Sequence, residues 1–301
     1  MKPSESIYFA LRGLRYHVRA WGDPKAPVLV MLHGWMDLSA SFQFLVDELR
    51  HDWRVLAPDW RGFGMTAWAG QDSYWYSDYL ADLDALLDEL IGDSPALIVA
   101  HSMGGNVACL YAGVRPDRVA ALVNLEGLGL RDTPPEEAPD RYAQWLEQLR
   151  LVRLGKAEPR RDYASHEELA ERLKREQPRL SMDQARFLAE HQGIMGAGGR
   201  VVIRSDPAHK RVNPVLYRGA EVLACLRRIK APVLWVEGAK SEIAARFQSR
   251  HDELIERKRS IEDLTEVVIQ EAGHMLHHHQ PAQVARVLER FLVERGFREG
   301  R

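Results

Sequence analysis

Val28-Leu29-Val30-Met31-Leu32, Ala96-Leu97-Ile98-Val99-Ala100 and Ala121-Leu122-Val123-Asn124-Leu125 are near-continuous apolar runs of strand length, separated by segments with helical spacing. A strand without a polar face must be covered on both sides, which is the condition of a parallel sheet between helical layers. Strict alternation of strand and helix then implies right-handed crossovers. Before the first run, Ile7 to Gly22 alternates loosely between apolar and polar, as an antiparallel pair turning at Arg12-Gly13 would. Trp53 to Ala57, Val233 to Val236 and Val267 to Ile269 read as further strands. Phe42, Leu45, Val46 and Leu49 share one helical face, as do Tyr79, Leu83, Leu86, Leu87 and Leu90. A helix is expected around Ala244 to Lys258, and a last one through Val284, Val287, Leu288, Phe291 and Leu292.

The alternation breaks between about Leu128 and Arg228, where the chain is charged, helix-prone and without a convincing buried strand. Tyr142, Trp145, Leu146 and Leu149 make an amphipathic stripe, Ser165 with Glu168 and Ser181 with Gln184 read as capping boxes, and Gly193 to Gly199 reads as a hinge or loose loop. The expected division is therefore a core of residues 1–127 and 229–301 with a helical cap (lid) inserted at 128–228. Ligands of open parallel sheets bind beyond the carboxyl ends of the strands, so an insertion leaving from such an end covers the site.

Chemistry concentrates at Ala100-His101-Ser102-Met103-Gly104, where a buried strand stops at a serine and a helix starts at once. That arrangement is a nucleophile elbow: the serine occupies a strained turn that tolerates only small neighbours. Gly104 meets the requirement, and Ala100 stands where the usual pattern has glycine. A serine hydroxyl needs a base within hydrogen-bonding reach, and that base needs a carboxylate to fix its tautomer.

With His33-Gly34-Trp35 after the first parallel strand, Asp59-Trp60-Arg61-Gly62-Phe63-Gly64 after the next, the Ser102 elbow, and Gly273-His274 after the last, the chain resembles the α/β-hydrolase family over nearly its whole length. The resemblance implies a mostly parallel central sheet with helices on both faces. It implies Ser102 as nucleophile, His274 as base, and the main-chain N–H groups of Trp35 and Met103 as the oxyanion hole. His33, Gly34 and Trp145 are candidates for the substrate pocket, with Tyr142, Phe187 and Met195 as further apolar residues of the cap. Asp59 and Arg61 are taken as structural.

Two positions compete for the acid. The commonest family position, three residues after Gly238, holds Ser241, and Glu242 is one step beyond it. The second family position follows the strand after the elbow helix and holds Glu126, which fits without a shift of the loop and is preferred. His277, His278 and His279 follow the base on an expected loop or helix start and are read as solvated rather than as a metal cluster.

Haloalkane dehalogenases and epoxide hydrolases of this family attack with aspartate, so Ser102 implies an acyl intermediate and hydrolysis of a carboxylic ester. A carbon–carbon bond hydrolase, a lactonase, or a catalytically weak ligand-binding homologue are the alternatives. No metal or organic cofactor is required. The expected partner is a small molecule, an uncharged acyl or aryl ester. With 41 basic and 43 acidic side chains the net charge of -2 recommends neither nucleic acid nor an anionic membrane. Cys109 and Cys225 read as buried thiols, and no signal-like or membrane-length apolar run is present, so a soluble cytoplasmic protein is expected. The oligomeric state is not legible.

Overall fold

The computed structural model describes residues 1–246 and 251–297. In chain order the elements are β1 (Ser4–Leu11), β2 (Leu14–Trp21), β3 (Val28–Leu32), α1 (Gln43–Glu48), β4 (Arg54–Pro58), α2 (Tyr76–Ile91), β5 (Ala96–His101), α3 (Met103–Val114) and β6 (Val119–Leu125). Then come α4 (Ala138–Arg153), β7 (Asp162–Tyr163), α5 (His166–Glu176), α6 (Met182–Gln192), β8 (Gly193–Met195), β9 (Val201–Ile203) and α7 (Gly219–Leu226). The chain closes with β10 (Val233–Gly238), α8 (Glu242–Arg246), α9 (His251–Arg259), β11 (Leu264–Ile269), α10 (Leu276–His279) and α11 (Pro281–Glu294).

Eight strands form one sheet in the order β1-β2-β4-β3-β5-β6-β10-β11. From β4 to β11 all neighbours are parallel, and β1 and β2 add an antiparallel edge. Arg12 and Gly13 both have positive φ, the conformation that a two-residue hairpin turn matching strand twist requires. The apolar runs divide between two cores. Val30, Leu32, Ile98, Ala100 and Leu122 pack with α2 and α3 on one face. Leu29, Met31, Val99, Ala121 and Val123 pack with α1 and α11 on the other. Because successive strand residues point to opposite faces, a run covered on both sides has no polar position left.

Between β6 and β10 the chain builds a third core of its own from Tyr163, Leu169, Ala170, Leu173, Leu188 and Val201, with Phe44 joining from the main body. This segment is not purely helical: β7, β9 and β8 form a small antiparallel sheet. Strands of two or three residues are too short to leave a period in the sequence. Gly193 to Met195 is one of those strands rather than part of a hinge. The Ser181 and Gln184 capping box forms with both its hydrogen bonds. At the other, Ser165 accepts from the Glu168 N–H at 3.2 Å, while the Glu168 carboxylate reaches the Ala164 N–H rather than that of Ser165.

The stripe on α4 is also not a core face, since α4 buries none of its residues and exposes Tyr142 and Leu146. The expected helix around Ala244 to Lys258 is α8 and α9; its stretch 247–250 lies outside the described residues. Both cysteines are free thiols, Cys109 buried as expected and Cys225 only half-buried. Among the described residues no helix is long and apolar enough to cross a membrane.

Candidate active site

Ser102 links β5 to α3 with φ 52 and ψ -114, a left-handed conformation that is costly for a residue with a side chain. Its surroundings enforce that conformation. The Ser102 N–H donates to the Leu125 carbonyl at 2.8 Å, and the Ser102 carbonyl accepts the Asn106 N–H at 3.0 Å. A Cβ on Gly104 would stand 2.4 Å from the Leu32 carbonyl oxygen, so only glycine lets the elbow pack against the end of β3. Ala100 sits earlier, in the middle of the paired strands β3, β5 and β6, where its methyl is fully buried.

His274 lies between β11 and α10, and its imidazole joins the other two groups. Nε2 faces Ser102 Oγ at 2.9 Å, and Nδ1 faces Glu126 Oε2 at 3.1 Å. A carboxylate only accepts, so the proton is on Nδ1 and Nε2 offers its lone pair to the serine hydroxyl. Glu126 follows β6 with φ 59, in a turn clamped by Asn124, which accepts from the Gly127 N–H at 2.9 Å and donates to the Gly127 carbonyl at 3.1 Å. Its buried carboxylate also accepts the Gly238 N–H on Oε1 and the Ser241 hydroxyl on Oε2, each at 2.6 Å. The rival acid, Glu242, is exposed at the start of α8, and both nitrogens of His274 already have other partners.

The loop after β3 comes close to the elbow. A Cβ on Gly34 would stand 3.1 Å from Ser102 Cβ. His33 lies beneath this loop and holds it: Nδ1–H donates to the Gly34 carbonyl at 2.8 Å, and Nε2 accepts the Trp60 N–H at 2.9 Å. Burial pushes the His33 imidazole down to about 4, so it stays neutral. Asp59 anchors the far end of the loop, its Oδ1 accepting the Ser39 N–H at 2.7 Å. Met103, the first residue of α3, has its N–H in the helical turn that lacks intrahelical acceptors.

A cavity of about 430 Å³ opens over Ser102 and His274. Trp35, Met103, Tyr74, Tyr76, Leu128, Val212 and Ile243 give it a mainly apolar wall, and Arg141, Arg211 and Asn213 bring polar groups from the segment between β6 and β10. Trp35 and Met103 thus border the cavity together with Ser102. His33, Gly34 and Trp145 are not among its lining residues, nor are Tyr142, Phe187 and Met195. His33 is instead a buried loop brace. Arg141 precedes Trp145 by one helical turn and so shares its side of α4, but that side reaches the cavity at Arg141 and not at Trp145. Val212 and Asn213 lie on irregular chain, where no periodicity marks a lining residue.

His277 and His278 are buried on α10, contrary to the solvated reading. Consecutive histidines carry a polar signature, but α10 is covered by neighbouring rings, with Phe42 beside His277 and Phe44 beside His278.

A family model described as the α/β-hydrolase fold matches residues 27–281. A serine hydrolase-like protein of Danio rerio is 28% identical over 281 residues, covering 91% of this chain and 84% of that protein. Epoxide hydrolase 4 of Mus musculus is 35% identical over 112 residues, 37% of this chain and 31% of that one. Among solved structures, a thioesterase domain from the curacin biosynthetic pathway superposes with a TM-score of 0.82 at 25% identity, covering 96% of this chain and 99% of the other.

Proposed function

The chain belongs to the α/β-hydrolase family, and from that premise we propose that it is a serine hydrolase cleaving a carboxylic ester through an acyl-enzyme intermediate. The observation that carries this reading is the line of contacts from Ser102 Oγ to His274 Nε2 at 2.9 Å and from His274 Nδ1 to Glu126 at 3.1 Å. In this reading His274 takes the hydroxyl proton as Ser102 attacks the carbonyl carbon, and Glu126 stabilises the imidazolium. The N–H groups of Trp35 and Met103 receive the oxyanion. His274 then protonates the leaving alcohol and activates the water that releases the acid.

The likeness to an epoxide hydrolase does not carry its reaction across. A hydroxyl nucleophile gives an acyl ester, whereas opening an epoxide at a carboxylate gives an alkyl ester. Residues 128–228 act as the cap, closing the cavity with Arg141, Arg211, Val212 and Asn213. The size and mainly apolar wall of the cavity favour an acyl or aryl group of small to medium size. Lactones and thioesters would use the same groups.

The test is pre-steady-state release from a chromogenic short-chain ester. A stoichiometric burst, abolished by Ser102→Ala, is the expected result. Steady turnover that survives Ser102→Ala would refute the serine mechanism, and no turnover on ester, lactone and thioester panels would leave the binding reading in its place.

A further inference from the structure

Behind the proposed triad, three other side chains converge with polar atoms that nothing else among the described residues uses. Asp37 follows Trp35 by two residues, His101 immediately precedes Ser102, and His277 follows His274 by three. Their exposures are 5%, 1% and 0%. One ligating atom from each lies within 4.8 Å of the other two.

The hydrogen bonding decides which atoms are available. His101 Nε2 lies 2.9 Å from the His274 carbonyl oxygen, which can only accept, so Nε2 carries the proton and Nδ1 carries a lone pair. That Nδ1 has no partner among the described residues, and neither do the two ring nitrogens of His277 or Oδ1 of Asp37. The other Asp37 oxygen accepts the Ser41 hydroxyl at 2.7 Å and stands 3.9 Å from His277 Nε2. Buried polar atoms without partners are costly, and a group of them facing one another calls for one shared partner.

We propose that Asp37, His101 and His277 form a binding site for a single divalent transition-metal ion of the zinc type, with His101 ligating through Nδ1. Two imidazoles and a carboxylate suit Zn²⁺, Co²⁺ or Ni²⁺, whereas Mg²⁺ and Ca²⁺ take oxygen ligands. The three ligands come from the loop bearing Trp35, from the last residue of β5 and from α10, so an ion there ties together segments that surround the cavity floor. The ion does not perform the chemistry. It sits behind His101, whose ring centroid is 4.8 Å from that of His274.

The rival is one buried water bridging the same atoms. Chelator-stripped protein is incubated for long periods with Zn²⁺ or Co²⁺ at neutral pH, because a closed site fills slowly, and then freed of unbound metal. One retained equivalent is expected, with X-ray absorption at the zinc edge showing two imidazoles. Asp37→Asn and His277→Gln should each weaken retention by about tenfold or more. Retention of no metal would overturn the proposal in favour of the water. So would equal retention by both variants, or zinc scattering without an imidazole pair; the scattering measurement on the unaltered chain stands even if a variant does not fold. Binding is read without substrate, so its outcome is independent of the ester-hydrolysis reading.

Discussion

Ser241 donates its hydroxyl proton to Oε2 of Glu126 at 2.6 Å, the same oxygen that faces His274 Nδ1. The two residues come from the ends of neighbouring parallel strands, β6 and β10, which pair Leu125 with Val236. The two places where this family can put its acid are thus side by side in space. Here the one holds the carboxylate and the other supports it.

Removing the carboxylate should separate the candidate acids. Glu126→Gln is expected to lower kcat by about 10³- to 10⁴-fold, because the imidazole loses the partner that sets its tautomer. Ser241→Ala removes one hydrogen bond to a charged group, worth about 1.5–3 kcal/mol, and should fall between. Glu242→Gln should change kcat by less than a factor of about two, as expected for an exposed side chain with no role. Steady-state kinetics on a chromogenic ester checks the order, and a silent Glu126→Gln would transfer the role.

The elbow makes unequal demands on its small residues. Gly104→Ala puts a methyl 2.4 Å from a backbone oxygen that cannot move away, so a loss of about 2 kcal/mol or more is expected in urea unfolding, together with loss of activity. Ala100→Gly, which restores the usual family residue, should cost only about 0.5–1 kcal/mol and keep turnover. Equal effects of the two would mean that the close approach at Gly104 is not what shapes the turn.

Trp35 is 53% exposed and borders the cavity, so its side chain and its main chain have separable tasks. Trp35→Ala keeps the N–H and removes the wall. KM should rise, while kcat changes by much less than the roughly 10²-fold or greater loss that follows removal of an oxyanion donor. A collapse of kcat at unchanged KM would contradict this division.

Two buried histidines far apart in the chain predict sensitivity to acid. Burial holds His33 at about 4 and His209 at about 3, against about 6.5 in an unfolded chain. Below about pH 6.5 the unfolded state binds protons that the folded state refuses. The stability is therefore present in full above that pH and is lost progressively toward pH 4 and 3. One pKa unit is about 1.4 kcal/mol, so two such groups weigh heavily against a total of roughly 5–15 kcal/mol. The melting temperature should fall steeply between pH 6.5 and 4, and His209→Gln should flatten the slope. A melting temperature constant over that range would show that these rings are not held neutral.

Much of the sheet was legible because its central strands are apolar on both faces, and the elbow because a strand, a serine and a glycine must follow one another in the chain. The position of Glu126 was legible for a similar reason, as a carboxylate one residue past the end of β6. The small sheet of β7, β8 and β9 was not, since its pairing is between segments that carry no pattern alone. The cavity wall was misread toward Trp145 because amphipathic spacing says that a face is apolar, without saying what it meets. His277 and His278 were misread because a polar residue type does not reveal the aromatic rings packed over it.

What the sequence determined by itself is local and periodic: which segments of the main body are strands and helices, that the main sheet is mostly parallel, and which serine stands at the strained turn. What tertiary structure alone decided is which groups share a site. The 2.9 Å between Ser102 and His274, the support of Ser241 behind Glu126, and the meeting of Asp37, His101 and His277 all join residues from segments that end or follow different strands. Such meetings follow from the order in which strands pair across the sheet, a consequence of packing the whole chain that no single segment contains.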